Sequence, residues 1–463
     1  MTVAAHRAKV DRLAAEAAAV LRSAAPGGAA PIGLAKRTSN LFRDRQPARP
    51  CLDLRGFDEV IEVDAAAGRV DAEGMTTYAA LVDATLAQQA MPCVVPQLRT
   101  ITLGGALAGV GIEASSFRYG LVHETVEAFD VLTGDGRVVH CRADNEHADL
   151  FFGFPNSYGT LGYALAVRAR TQPVQPFVAV EHRSFDSAAA AFQDLSALTS
   201  GAGASGAADP AGEIDFLEGV AFGPDEVVLT RGRFVERAPY VSDYGLERIY
   251  WRSLREHEKD YLATRDFLWR WDTDWFWCSR QLGAQHPVVR RLLGRERLNS
   301  LTYQRVMRWN SRWGFTRAWG RLRGLHGESV IQDVQIPAGR AAEFLQFLAR
   351  EIGIWPVWLC PIRPAPAGLR WPLFALAPGV VHLNFGFWDV IRTREPHPPG
   401  YFNRRVEAEV ARLGGRKSLY SESWYTPAEF WAAHDQEAYR ALKQRYDPTG
   451  RLGDLYAKCC MRR

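Results

Sequence analysis

Two loops rich in glycine or hydroxyl groups are the parts of this sequence best suited to bind a phosphate. The first is LAKRTSNLFR at 34–43, where Thr38, Ser39 and Asn40 follow an apolar strand and can offer backbone and hydroxyl donors to a pyrophosphate. The second is TLGGALAGVG at 102–111, whose glycines let backbone amides approach a phosphate or a flat ring. Taken alone, the second loop also fits a simple tight turn. Two such loops on one small α+β domain favour a dinucleotide.

The signatures of several other enzyme classes are missing. The sequence contains no G-x-x-x-x-G-K-[ST] phosphate loop, no H-E-x-x-H zinc motif and no G-x-S-x-G nucleophile elbow. The glycines at 102–111 also lack the long helix and the acid at the end of a second strand that a Rossmann fingerprint requires. The glycine cluster is therefore not a Rossmann motif.

The composition is that of a globular protein with two or three domains. Of 463 residues, 47% are apolar and 23% are charged, and a formal net charge of +4 is too small to favour a nucleic-acid partner. No run of eighteen apolar residues occurs, and Arg7, Lys9 and Asp11 stand where a signal peptide needs an apolar core. The seven cysteines lack the spacing of a zinc site, so we expect free thiols and no metal. We expect a cytoplasmic protein, with peripheral membrane contact as the alternative.

The elements that must position the two loops change in type along the chain. Residues 3–24 place Val10, Leu13, Ala17 and Leu21 on one face of a helix. The next part of the chain, residues 32–174, predicts short strands with one helix and a hairpin turn at TGDG. Further patterns predict a mobile Gly/Ala/Ser loop at 199–212, a hairpin at 214–235, strands at 329–337 and 380–390, and helices at 341–352 and 426–448.

Four stretches of the chain form a set typical of one group of flavoproteins. They are KRTSNLFR from 36, VDAEGMTTYAALVDATL from 70, VVPQLRTITLGGALAGVGIEASSFRYGLVHETV from 94 and SYGTLGYALAV from 157. Together they resemble the FAD domain of the vanillyl-alcohol-oxidase (PCMH-type) group. Within that group the chain is similar to the Δ24-sterol reductase (DIMINUTO-type) branch, and the likeness continues through VIQDVQIP, IWPVWLCPI, LYSESWYTPAEFW and DLYAKCC.

The resemblance implies an α+β fold in which a PCMH-type FAD-binding domain is joined to an α+β cap that binds the substrate. The boundaries that follow are an N-terminal helix at 1–24, the FAD domain at 25–176, the cap at 177–410 and a C-terminal segment at 411–463 that returns to the FAD domain.

The resemblance also implies a set of residues that bind FAD. In many members a histidine of the first loop or a cysteine of the second attaches the flavin, whereas this sequence has Lys36, Arg37 and Thr38 in the first loop and neither residue type at 97–121. We therefore expect non-covalent FAD. The implied contacts are Thr38, Ser39, Asn40, Thr102, Leu103, Gly104, Gly105, Gly109, Gly111, Ser115, Ser116, Gly159, Thr160 and Gly162.

The chemistry implied by the likeness is reduction of an isolated carbon–carbon double bond of a lipid, with NADPH as hydride donor. No carbonyl polarises such a bond, so an acid must supply a proton in a dry, aromatic pocket. Tyr420 is our first choice of donor, Glu113 in the glycine-rich segment is the second, and Lys417 could stabilise the charge of the reduced flavin. For Asp333 we expect a salt bridge to a nearby arginine.

Residues 250–323 are unusually rich in tryptophan and arginine. Ten arginines and one acid, Glu296, lie between 290 and 323. Tryptophan anchors at the membrane interface and arginine binds anionic headgroups, so this stretch predicts peripheral membrane contact. The alternative is that the tryptophans form the core of the cap while the arginines face water.

Three other functions fit the same residues. A reductase of a methylene-branched fatty acyl chain would act on an equally isolated alkene. An FAD-dependent alcohol oxidase or dehydrogenase would take hydride from its substrate and need no NADPH. A lipid-binding protein that kept the fold without turnover would be expected to lose the FAD loops, and both loops are present.

Overall fold

The computed structural model describes residues 1–23, 32–36, 42, 51–201, 214–313, 320, 322–363 and 368–461. Within these residues the strands form a two-stranded, a six-stranded and an eight-stranded sheet, with helices between and around them. The α+β class predicted from the sequence is confirmed. Most of the predicted loop at 199–212 lies outside the described residues.

The N-terminal helix packs on the smallest sheet. Helix α1 (Val3–Ser23) buries Leu13 and Ala17, as its periodicity predicts, against the sheet formed by β1 (Gly33–Ala35) and β2 (Cys51–Asp53). The buried carboxylate of Glu73 accepts from His6 at 2.9 Å and from Lys9 at 3.0 Å, which ties this helix to the next sheet.

The six-stranded sheet belongs to the part of the chain that contains the glycine-rich segments at 102–111 and 157–162. Its order is β3-β4-β8-β6-β7, with β5 paired to the end of β8, and the predicted TGDG hairpin joins β6 to β7. The strands are β3 (Val60–Asp64), β4 (Arg69–Glu73), β5 (Ala90–Pro92), β6 (Val126–Leu132), β7 (Val138–Arg142) and β8 (Tyr163–Pro173). The helices inserted between them are α2 (Tyr78–Leu86), α3 (Leu103–Ala108), α4 (Ser116–Tyr119) and α5 (Ala148–Gly153).

The eight-stranded sheet is antiparallel and contains the predicted hairpin of 214–235. Its order is β12-β9-β11-β10-β14-β15-β13-β16. The strands are β9 (Phe177–Phe185), β10 (Phe216–Gly223), β11 (Glu226–Val235), β12 (Lys259–Ala263), β13 (His326–Pro337), β14 (Val357–Ile362), β15 (His382–Thr393) and β16 (Arg416–Lys417). In the segment 411–463, which is predicted to return to the FAD domain, β16 pairs with β13 at the edge of this sheet.

The remaining helices surround the large sheet and end the chain. They are α6 (Ala188–Gly201), α7 (Tyr250–Ser253), α8 (Thr264–Leu268), α9 (Pro287–Leu293), α10 (Ser300–Trp313), α11 (Ala341–Phe347), α12 (Tyr401–Arg412), α13 (Pro427–Ala433), α14 (Gln436–Tyr446) and α15 (Leu455–Cys459). The single closing helix predicted at 426–448 is two helices, because Asp435 leaves the helical conformation and its side chain caps α14 through the amide of Ala438.

The tryptophans of 250–323 divide into two groups. The first group, which is buried, comprises Trp251, Trp269, Trp271, Trp275 and Trp277. Trp309 and Trp313 on α10 are 57% and 63% exposed, and Trp319 lies outside the described residues. The core interpretation therefore holds for the first group and not for Trp309 and Trp313.

Candidate active site

A large cavity lies between the six-stranded and the eight-stranded sheets. Its volume is about 1290 Å³, and pockets for a single small ligand usually measure about 300–1,000 Å³. The cavity is therefore large enough for a dinucleotide and a second molecule. One wall is built of glycine-rich loops and the other of aromatic side chains.

The glycine wall contains half of the residues predicted to bind FAD. It is formed by α3, the loop after it and the loop before β8. A Cβ at Gly104 would lie 2.7 Å from the carbonyl oxygen of Gly74, and Gly159 has φ +78°, so both positions require glycine for backbone reasons as well. The predicted residues in this wall are Thr102, Gly104, Gly105, Gly109, Gly111, Gly159 and Gly162.

The other predicted contacts do not reach the cavity. Leu103, Ser115, Ser116 and Thr160 are buried behind the wall and are corrected to supporting residues. The hydroxyl of Ser115 donates to the carbonyl of Cys93 at 2.7 Å, and the hydroxyl of Ser116 accepts from the amide of Glu113 at 3.1 Å. Thr160 donates to the carbonyl of Ser157 at 2.8 Å. Thr38, Ser39 and Asn40 lie outside the described residues.

The amides that the sequence assigned to phosphate binding are used within the protein. The amides of Leu103 and Gly104 donate to the carbonyls of Thr76 and Gly74, and the amide of Gly105 donates to the hydroxyl of Thr102. The amides of residues 103–105 are therefore not available to bind an anion, and Gly104 and Gly105 contribute a cavity wall without side chains.

Three polar side chains of the cavity were missed as candidates and suit a flavin dinucleotide. Lys36 and Lys458 line the glycine half of the cavity, where their charge would favour a pyrophosphate. The amide nitrogen of Gln97 lines the same half, is buried, and finds no hydrogen-bond partner among the described residues. A glycine wall, two cations and a buried amide donor without a partner among the described residues fit FAD, which Lys36, Lys458 and Gln97 would help to hold.

The aromatic wall follows from the two-residue period of the central strands. Ser329, Ile331 and Asp333 on β13 all face the cavity, while Val330 and Val334 face the opposite core. The apolar and aromatic side chains of this wall are Trp275, Phe276, Cys278, Leu282, Met307, Ile331, Trp358, Trp388 and Val390.

Tyr420 and Asp333 form the polar pair of this aromatic wall. The Tyr420 hydroxyl donates to Oδ2 of Asp333 at 2.7 Å and accepts from the indole nitrogen of Trp388 at 2.8 Å. Asn384 donates to Oδ1 of Asp333 at 2.7 Å and is itself held by Gln335 at 2.6 Å. Tyr420 thus lies in the cavity wall, and its role as proton donor stays a prediction.

Asp333 is in a different environment from the one expected. Within the described residues it makes no salt bridge, so the expected pairing with an arginine is wrong. Burial raises the pKa of Asp333 to about 7, although the hydrogen bonds from Asn384 and Tyr420 lower it. Burial also raises the pKa of Tyr420 well above its ordinary value, and the nearby charge of Asp333 raises it further. At neutral pH the phenol is therefore protonated, and the carboxyl is divided between its protonated and ionised forms.

The glycine at 386 leaves room for the Asp333–Tyr420 pair, and its position in the sequence could have indicated Asp333. Gly386 on β15 is opposite Asp333, and a Cβ there would lie 2.8 Å from Oδ1 of Asp333 and 2.6 Å from the Trp388 ring. A carboxylate between apolar residues on one strand, opposite a glycine on the next, is the pattern that could have identified Asp333.

Glu113 and Lys417 are not in the cavity wall. Glu113 is 1% exposed and accepts from Arg270 at 2.7 Å, and Lys417 donates to Glu407 at 2.7 Å and to Ser423 at 3.0 Å. Burial raises the pKa of Glu113 to about 7 against the charge of Arg270. Neither side chain lines the cavity. Their predicted catalytic roles are therefore wrong, and each forms a buried structural ion pair instead.

Comparisons with known proteins indicate an FAD-binding domain and a likeness to sterol reductases. A family profile described as an FAD binding domain matches residues 14–142. The Δ24-sterol reductase of Homo sapiens is 25% identical over 419 residues, which cover 87% of this chain and 76% of the relative. The Δ24-sterol reductase of Pisum sativum is 24% identical over 454 residues, with 88% and 76% covered. Cytokinin dehydrogenase 6 of Oryza sativa subsp. japonica is 36% identical over 108 residues, which cover 23% of this chain and 20% of the relative.

These findings confirm the PCMH-type FAD-binding domain and the likeness to the sterol reductases that the motifs predicted. Among the described residues, no helix has both the length and the apolar character needed to cross a bilayer. The described cysteines form no disulfide.

We expect the flavin to be released when the protein is denatured. No histidine lines the described part of the cavity, and the two thiols that do, Cys51 and Cys278, lie outside the two loops discussed above. Acid precipitation should leave the yellow colour in the supernatant. Colour that stays with the pellet in the wild type and moves to the supernatant in Cys51→Ser or Cys278→Ser would contradict this and identify the attachment site.

Proposed function

We propose that this FAD-dependent oxidoreductase reduces an isolated carbon–carbon double bond of a lipid, such as the alkene of a sterol side chain, with NADPH as the source of hydride. The observation that supports this proposal most strongly is the Tyr420–Asp333 pair, which places a proton donor beside the aromatic and apolar side chains of the cavity wall. The names of the relatives support a sterol substrate, and NADPH follows from the same resemblance.

An isolated alkene sets two requirements for the residues around it. When FAD is bound it supplies a hydride to one alkene carbon. The protein must deliver a proton to the other carbon and must keep water from the cationic character that develops there. Trp275, Phe276 and Trp388 lie in the aromatic wall of the cavity, and aromatic rings near such a charge stabilise it.

The proton would pass along the Asp333–Tyr420 pair. When Asp333 is protonated, its hydroxyl can donate to the oxygen of Tyr420, and the phenol proton then turns toward the cavity. The alkene carbon takes the proton from the Tyr420 oxygen while that oxygen takes the proton of Asp333, so that Asp333 ends as a carboxylate. Trp388 and Asn384 donate to the two oxygens that carry negative charge in this transfer. Solvent protons then restore Asp333.

The test is anaerobic stopped-flow absorbance at about 450 nm, the region of the oxidised flavin band. NADPH should bleach the yellow protein, and a sterol with a side-chain alkene should restore the colour. Restoration by a methylene-branched acyl lipid alone would assign that substrate instead. Bleaching by an alcohol without NADPH would replace the proposal by an oxidase or dehydrogenase, and no response to any of them would leave a lipid-binding protein.

The proton-delivery step should lose rate as the pH rises through about 7. Asp333 gives up its proton in that range, so the fraction of protein able to pass a proton to Tyr420 falls. In Asp333→Asn this step should be slower and independent of pH between about pH 6 and 8. The measurement is the rate of flavin reoxidation by the alkene in single turnover.

Asp389→Asn is the matched control for this pH profile. Asp389 is a second carboxylate in the same cavity and bonds to Gln281 at 2.6 Å rather than to Tyr420. The control should keep the wild-type pH profile. An unchanged profile in Asp333→Asn would exclude Asp333 from the proton path.

A further inference from the structure

Helix α10 leaves the body of the protein at the edge of the cavity. Its first turn is anchored, since Ser300 donates to Asp272 at 2.5 Å and Tyr303 donates to the carbonyl of Thr273 at 2.8 Å. Beyond this anchor the side chains of residues 305–309 are all exposed. Five consecutive residues span more than one full turn, so this described part of the helix is exposed around its whole circumference.

One face of this helix is apolar to an unusual degree. Val306, Trp309 and Trp313 follow the i, i+3, i+7 spacing and are 42%, 57% and 63% exposed. Eight of the fourteen exposed large apolar side chains in the described part of the chain lie between 282 and 322. Exposed apolar groups concentrated in this way mark an interaction surface. We call this stripe of Val306, Trp309 and Trp313, together with Leu282 and Met307 beside it at the rim of the cavity, the docking face.

The charge beside the docking face is positive. Arg305 and Arg308 also lie on α10, are exposed, and make no ion pair with other described residues. Of the other described arginines nearby, Arg290 and Arg295 form ion pairs with aspartates, and Arg290 is buried. Arg305 and Arg308 therefore supply the positive charge beside the docking face. Tryptophan with neighbouring arginine is the composition of helices that lie in the interface of an anionic bilayer.

The docking face is continuous with the cavity. Leu282 and Met307 line the cavity and are also 38% and 37% exposed. A lipid that entered between these two side chains would pass from the acyl layer into the aromatic wall without crossing water. This continuity distinguishes the docking face from exposed apolar residues elsewhere, such as Tyr240 and Val241.

We propose that the docking face of α10 binds the surface of an anionic lipid bilayer and opens the cavity toward it. This inference rests on the proposed lipid substrate for its purpose, but binding to the bilayer can be measured without turnover. The arginines supply attraction to the headgroups, and Val306, Trp309 and Trp313 enter the boundary between headgroups and acyl chains.

The test is co-sedimentation of the FAD-loaded protein with vesicles of phosphatidylcholine, with and without phosphatidylglycerol. The wild type should bind the anionic vesicles and release them at high salt. The double variant Trp309→Ser, Trp313→Ser should bind about tenfold or more weakly. Arg305→Gln with Arg308→Gln should lose about fivefold per arginine on anionic vesicles only. The control is Tyr240→Ser with Val241→Ser, which should bind as the wild type does.

Two results would overturn the proposal. One is wild-type binding to anionic vesicles no stronger than that of the tryptophan variant. The other is a doubled mass in light scattering that the tryptophan variant abolishes, which would assign the docking face to self-association. If the protein binds vesicles as expected but no alkene reoxidises the flavin, the proposed reaction is rejected and the proposal for the docking face is kept. Flavin absorbance and the melting temperature of each variant verify its fold.

Discussion

Replacement of Tyr420 by phenylalanine should slow reduction of the alkene by about 10²–10⁴-fold, the usual contribution of a positioned acid. The change removes only the hydroxyl, and the ring can keep its edge contact with Phe42 at 5.7 Å between centroids. Hydride uptake from NADPH should stay unchanged, because that half-reaction needs no proton from the aromatic wall. Stopped-flow absorbance separates the two half-reactions.

Tyr163→Phe is the matched control for this prediction. Tyr163 lines the glycine half of the same cavity, and its hydroxyl donates to the carbonyl of Ile32 at 2.8 Å. The control should change the alkene step by less than about threefold, since it loses one ordinary hydrogen bond. Since Tyr420→Phe removes the hydrogen-bond partner of the Trp388 indole N–H and of Oδ2 of Asp333, the melting temperature must be measured as well. Full activity of a well-folded Tyr420→Phe protein would show that another group donates the proton.

Arg270→Met should destabilise the folded protein by about 3–5 kcal/mol. Arg270 is fully buried and lies between Glu113 at 2.7 Å and Glu218 at 2.9 Å. Glu218 in turn accepts from the indoles of Trp271 and Trp358, each at 2.9 Å. Without the guanidinium, two neighbouring carboxylates remain buried and uncompensated. Because the charge of Arg270 lowers the pKa of Glu113, its removal raises that pKa further, and the loss of stability should grow as the pH rises.

Urea unfolding of the FAD-loaded protein at several pH values measures this effect. The triple variant Arg270→Met, Glu113→Gln, Glu218→Gln should recover much of the loss, because no buried charge remains. The control Arg142→Met breaks an exposed pair with Asp144 and should cost less than about 1 kcal/mol. A loss in Arg270→Met no larger than in this control would mean that the buried triad is not an important part of the fold.

The buried triad also explains how the two walls of the cavity are held together. Glu113 belongs to the segment after the glycine wall, Glu218 lies on β10 of the large sheet, and Arg270 stands between the buried Trp269 and Trp271. Trp358 lines the cavity and is oriented by Glu218. The triad therefore connects the FAD side of the cavity to its aromatic side through a single guanidinium.

The local patterns of the sequence were sufficient for the hairpins at TGDG and at 214–235, for α1 and α2, and for the glycine wall. Each depends on residues close together in the chain, where turn chemistry and periodicity act directly. The motif set was likewise sufficient for the FAD-binding domain, because glycine at 104 and 111 is required by contacts within that domain.

Only the tertiary structure decided which polar groups reach the cavity. Glu113 and Asp333 are both acids in apolar surroundings of the sequence, and nothing local distinguishes them. Arg270, 157 residues away in the chain, buries Glu113 in an ion pair, whereas Tyr420, 87 residues from Asp333, meets that carboxyl in the cavity wall. The Asp333–Tyr420 pair depends on the packing of β13 against the returning chain, and the Glu113–Arg270 pair depends on the packing of the two sheets. Both pairs join residues far apart in the sequence, so they form only when the tertiary structure is assembled.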